Sequence, residues 1–190
     1  MKFNRPLDQL LGQQSKITLL RFLARSNIEM AGRELARATG LAQRIVHSAL
    51  TKLWQQGVVT MRRAGNAKLY KLNKENTLVA EALVPLFSFE EKLTAHLAAL
   101  LVRKIGKDVI SIILFGSVAE GRERPDSDID LLIITTEKTN LKEIEKKLDD
   151  LSLLVSKKFG NFLSPVLLKA SQFQARYRQK DKFIRNIVDQ

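Results

Sequence analysis

A chain of 190 residues, 45% hydrophobic and 27% charged, has the length and apolar content for one large domain or two small ones. It contains no cysteine, which excludes disulfides and thiolate metal sites and fits a reducing compartment. No apolar run approaches the roughly 18 residues that would span a bilayer, and the start MKFNRPLDQLLG lacks the apolar core of a signal peptide, so a cytoplasmic protein is expected.

The net charge of +12 is unevenly spread. Residues 1–80 hold 14 Lys/Arg and 4 Asp/Glu, a net of +10, leaving 18 and 16, a net of +2, for residues 81–190. The basic excess therefore sits in the N-terminal part, where double-stranded DNA is a natural partner and a merely solvated basic surface is the alternative.

Ile17, Leu19, Leu20, Phe22 and Leu23 predict a short amphipathic helix ending near Ser26-Asn27. A small helix follows around Arg33–Ala38, broken by Thr39-Gly40, and a third runs from about Ala42 to Gln56, stopped by Gly57. Val46, Ala49, Leu50 and Leu53 recur at helical spacing and form one inward stripe. Gln43, Arg44, His47, Ser48 and Thr51 fall largely on the opposite side, with groups able to hydrogen-bond base edges or phosphates.

Beyond Gly57, Val59 and Met61 alternate, then Leu69 and Leu72, around a basic tip that includes Arg62, Arg63, Gly65 and Lys68. This pattern predicts a two-stranded hairpin, against which Trp54 is expected to pack. Three helices and a basic hairpin, carried by the run TGLAQRIVHSALTKLWQQGVV, resemble the winged helix-turn-helix of bacterial and archaeal regulators. The resemblance implies a third helix in the major groove and a wing on backbone or minor groove, with Gln43, Arg44, His47, Ser48, Thr51, Arg62, Arg63 and Lys68 as DNA-binding candidates. A protein-docking role for such a fold is the alternative. The expected boundary is 1–75.

Residues 76–105 read as a helical connector interrupted at Pro85, with Leu78, Leu83, Leu86 and Phe87 before Leu93, Leu97, Leu100 and Leu101. No flexible Gly/Ser linker is present. The surplus apolar surface suits either a homodimer face or packing within the chain.

Residues 106–190 open with the strand VISIILF, ending at Gly116-Ser117. A helical turn from Val118 to Gly121 and a charged loop lead to a second strand, in which Asp128 and Asp130 should share one face. A helix over Leu141–Lys158, a third strand over Phe162–Leu168 and one last helix over Gln172–Val188 complete the predicted unit. Two like charges side by side call for a cation between them, although Arg122 and Arg124 are near enough in sequence to supply it.

Gly116-Ser117, ten residues, then Asp128-x-Asp130 resembles the minimal nucleotidyltransferase domain of the DNA polymerase beta superfamily. The expected fold class is therefore α+β: an N-terminal winged helix joined by helices to a nucleotidyltransferase-like α/β domain with a small mixed sheet. The resemblance implies that Gly116 and Ser117 bind the phosphates of ATP or another nucleoside triphosphate. Asp128 and Asp130 would be the metal-binding and catalytic carboxylates, holding Mg²⁺ together with those phosphates. It further implies transfer of a nucleoside monophosphate to a hydroxyl of a small molecule, a nucleic-acid end or a protein, as in antitoxin-like relatives. One departure stands out. The third strand, NFLSPVLLKAS, has no Asp or Glu, and Ser164-Pro165 occupy the place of the usual third carboxylate. Glu120, Glu123 or Asp126 would have to substitute, which leaves catalysis open and favours a DNA-binding regulator with a nucleotide-binding domain.

Overall fold

The computed structural model describes residues 6–189. The first five positions of the expected winged helix thus lie outside the described residues. Two compact units divide between Lys92 and Leu93.

The first unit begins with the short helix α1 (Pro6–Leu11) and continues as α2 (Gln14–Ser26), β1 (Met30–Ala31), α3 (Gly32–Thr39) and α4 (Gln43–Gln55). The antiparallel hairpin β2 (Val59–Ala64) and β3 (Ala67–Leu72) follows, and β1 adds to the other edge of β3. The inward stripe of α4 is buried as its spacing demands: Val46, Ala49, Leu50 and Leu53 meet Leu19, Leu20 and Leu23 of α2 and Leu35 of α3. Val59, Tyr70 and Leu72 close that core from the hairpin. The hairpin turns on a two-residue loop with Gly65 at φ 57°, a left-handed conformation that glycine adopts at little cost. The helix order and hairpin register are those of a winged helix. Trp54, expected to be packed, is 46% exposed.

The connector is divided between the units. A π-helical turn over Val79–Leu83 leads into α5 (Val84–Glu91), and Val79, Leu83 and Phe87 are buried in the first core. Pro85 does not end the helical run; it stands in the first turn of α5, directly after the π-helical turn, where the hydrogen-bond pattern changes from π to α. The bidentate pair Arg21–Glu90 (2.6 and 2.7 Å) and the pair Arg25–Glu91 hold α5 to α2. Helix α6 (Leu93–Ile105) instead buries Leu97, Leu100, Leu101 and Ile105 in the second unit.

The second unit is a mixed three-stranded sheet, β4 (Val109–Phe115), β5 (Ile129–Thr135) and β6 (Leu163–Lys169), with β5 central, antiparallel to β4 and parallel to β6. The short helix α7 (Gly116–Ala119) follows β4, and α8 (Leu141–Phe159) makes the crossover from β5 to β6. Ile129, Leu131 and Ile133 pack under α6 and α8, while Leu132 and Ile134 pack on the opposite face with Ile184 and Ile187. The expected last helix is two: α9 (Ala170–Arg178) and α10 (Lys182–Val188). Apolar spacing alone would run through the break. Lys180 adopts φ 60°, and the Asp181 carboxylate accepts from the N–H groups of Phe183 and Ile184, capping a new helix.

Candidate functional site

In the second unit the register aligns one row of side chains across the sheet. Phe115 of β4 pairs with Asp130 of β5, which pairs with Ser164 of β6. Directly paired residues point to the same face, so Phe115, Asp130 and Ser164 lie side by side on the face carrying α10. The same alternation, carried one residue before the strand, puts Asp128 on that face. Asp128 is exposed and Asp130 is half-buried.

Gly116 is built against this row. Its φ is 74°, and a β-carbon there would stand 2.3 Å from Asp130 Oδ2. Only glycine leaves the carboxylate that space. The chain then coils tightly: Glu120 N–H donates to Gly116 O (3.1 Å) and Arg122 N–H donates to Ser117 O (2.9 Å). Ser117 is half-buried at the start of this coil. Phosphates would meet a glycine backbone, a hydroxyl and two carboxylates within one short stretch.

The loop returning to Asp128 is pinned by a residue that motif reading passed over. Asn161 Nδ2 donates to Ser127 O (2.7 Å) and to Pro125 O (3.4 Å). Within the loop, Arg124 N–H donates to Ser127 Oγ (2.9 Å), and Ile129 N–H donates to Phe162 O (2.8 Å). These bonds fix where Asp128 begins its approach to the sheet. The lone signal for Asn161 in sequence was an amide just ahead of a strand.

Among the described residues no three His, Cys, Asp or Glu side chains converge on a metal position. Ser164 stands in the register position where a third acid would complete such a set. The donor chemistry nevertheless fits Mg²⁺, which takes one or two carboxylates and completes its shell with substrate phosphates and water. Of the acids in the loop, Glu120 is ion-paired with Arg122, and Glu120, Glu123 and Asp126 are all exposed.

In the first unit, Gln43, Arg44, His47 and Ser48 are exposed on α4, as the stripe requires. Thr51 is half-buried and its hydroxyl donates back to His47 O (2.9 Å), so its side chain is engaged within the helix. A groove of about 560 Å³ runs along one flank of α4, lined by Arg33, Gln43, His47, Asn66 and Lys68. Another of about 690 Å³ runs along the opposite flank, lined by Gln14, Ser15, Arg44, Ser48 and Lys52. Arg33 and Lys52 join the surface that the motif marked, and their charge was the available signal. On the wing, Arg63 and Lys68 are exposed cross-strand partners. Arg62 instead reaches Glu29, with Nε 3.1 Å from Oε2, which raises the Arg62 pKa and lowers that of Glu29, first through this hydrogen bond.

Residues 97–183 match the nucleotidyltransferase domain family. A candidate protein adenylyltransferase of Methanocaldococcus jannaschii is 40% identical over 68 residues, which are 35% of this chain and 46% of that protein. The chain thus spans less than half the length of that relative. The antimony-specific transcriptional repressor AntR superposes with a TM-score of 0.39 at 22% identity, covering 49% of this chain and 78% of the repressor. The adhesin competence repressor AdcR of Streptococcus pyogenes gives 0.38 at 12% identity, covering 77% and 82%. No helix among the described residues is long and apolar enough to cross a membrane. The first unit has the helix order and wing register of a winged helix, and residues 97–183 of the chain, most of the second unit, match the nucleotidyltransferase domain family.

Proposed function

We propose that the protein is a DNA-binding regulator whose second domain binds a nucleoside triphosphate with Mg²⁺. The observation that carries the nucleotide reading is the row Phe115–Asp130–Ser164 with Gly116 folded against the Asp130 carboxylate. Gly116 and Ser117 approach the phosphates, and Asp128 and Asp130 hold the metal with them. When bound, Mg²⁺ would neutralise charge on the phosphates. The DNA reading rests on α4, whose exposed polar side is flanked by two cation-lined grooves, and on the wing cations Arg63 and Lys68. In this reading Arg44 contacts base edges and the flanking cations contact phosphates.

The similarity to a candidate adenylyltransferase supports a second reading, transfer of a nucleoside monophosphate to a hydroxyl, with a protein side chain as acceptor. A bond would form between the acceptor oxygen and the α-phosphorus, the bond to the bridging oxygen would break, and pyrophosphate would leave. The hydroxyl proton needs a base, and Ser164 cannot serve as one at neutral pH. The regulator reading requires no such group and is preferred.

The test has two arms. Mobility-shift titration of duplex DNA at several salt concentrations should show binding that weakens steeply with salt and further in Arg44→Ala. Incubation with α-labelled ATP and Mg²⁺ should leave no label on the protein or a co-purifying partner. Label transfer abolished by Asp128→Ala/Asp130→Ala would promote the second reading, and salt-insensitive DNA binding would sink the first.

A further inference from the structure

We infer that Phe183 is the platform on which the nucleobase of the bound triphosphate stacks; this rests on the nucleotide-site reading above. Phe115 is the strand partner of Asp130 and immediately precedes Gly116. Its ring meets that of Phe183 with centroids 5.5 Å apart and planes at 89°. Ile184 and Ile187 of the same helix are buried at 0% and 6% exposure, whereas Phe183 is left 37% exposed. Helix α10 therefore anchors itself through its isoleucines and presents an aromatic ring beside the carboxylate row.

The edge-to-face geometry explains why this ring is available. Whichever ring supplies the edge, at least one π-face of Phe183 is not covered by Phe115. A triphosphate held at Gly116 and Ser117 carries its sugar and base away from the phosphate end, and Phe183, in contact with the ring of the residue before Gly116, offers an exposed aromatic surface there. Stacking requires no particular hydrogen-bond pattern, because every base has a π-face. The described neighbours on α10 are Lys182 and Arg185, both exposed, which suit an anionic ligand without reading a base. The ligand class is thus a nucleoside triphosphate of relaxed base identity, with purines bound more tightly than pyrimidines through their larger stacking area.

Calorimetric titration of ATP and of inorganic tripolyphosphate, each with Mg²⁺, into the full chain tests the assignment. Phe183→Leu keeps apolar bulk over Phe115 but removes the π-face, and Phe183→Trp enlarges it. The leucine variant should bind ATP about tenfold more weakly with tripolyphosphate affinity unchanged, and the tryptophan variant should hold or improve ATP binding. Wild-type ATP affinity in Phe183→Leu would overturn the platform, as would an equal loss for ATP and tripolyphosphate, the sign of a structural role. Tripolyphosphate binding as tight as ATP in the wild type would remove the platform while leaving the phosphate site standing. Binding of neither would overturn the nucleotide site and the platform together.

Discussion

Asp130 Oδ2 would lie 2.3 Å from a β-carbon on Gly116, so any side chain at position 116 would collide with the Asp130 carboxylate as it stands. Gly116→Ala should therefore displace the Asp130 side chain and strain a backbone held at φ 74°. The expected cost is about 1–3 kcal/mol of stability, read by denaturant unfolding. Mg²⁺-dependent nucleotide binding should fall at least about tenfold. Unchanged stability and affinity would mean that the turn is not built as described.

Ser164 is the direct partner of Asp130 on the parallel strand, which makes the missing acid an experiment. Ser164→Asp would set a third carboxylate beside two others. Without Mg²⁺ the like charges should lower stability by about 1 kcal/mol. With Mg²⁺ the order should reverse, and the variant should bind the metal–nucleotide pair more tightly than the parent. Thermal melts with and without Mg²⁺ read both signs. A variant indifferent to Mg²⁺ would place Ser164 away from the metal.

Arg21 and Glu90 couple α2 to α5. The Arg21 hydrogen bonds, more than its charge at a distance, hold the Glu90 pKa below its ordinary 4.5. A carboxylate lowered in the folded state adds stability that is present above its unfolded pKa and lost as pH falls through the folded value. Glu90→Gln should thus destabilise the protein by about 0.2–1 kcal/mol at pH 7, the range for a part-exposed pair. The gap to wild type should begin to narrow as pH falls below about 4.5 and continue to shrink through the lower folded value, a comparison made by urea unfolding at pH 7 and pH 3.5.

Arg62 and Arg63 are neighbours with different duties. Glu29 already compensates Arg62, whereas Arg63 and Lys68 stand exposed on the wing. Removing Arg63 or Lys68 should reduce the salt slope of DNA binding by about 0.9 per phosphate contact. Arg62→Ala should change the slope less, and Glu29→Ala, by freeing the guanidinium, should tighten binding. Equal slopes for all three cation variants would show that the Glu29 pair does not persist at the DNA surface.

Much of this architecture follows from local pattern. The stripe Val46, Ala49, Leu50, Leu53 and the alternation Ile129, Leu131, Ile133 each meet a core where periodicity puts one. The pairing of Asp130 with Ser164 makes the absence of a third acid legible in both strand text and register. Other features depend on contacts that no short window contains. Arg62–Glu29 spans 33 positions and Asn161–Ser127 spans 34. The break between α9 and α10 hides because Ile184 and Ile187 continue a helical spacing, while the Asp181 cap and Lys180 conformation that end it are single-residue events. Phe183 reads in sequence as one more apolar residue, and its place beside Phe115 is a tertiary fact.

The most direct measurement is calorimetric titration of ATP, with and without Mg²⁺, into the wild type and Asp128→Ala/Asp130→Ala. The account predicts binding that requires Mg²⁺ and disappears in the double variant. Binding that persists in the variant, or that ignores Mg²⁺, would contradict the assignment of these carboxylates.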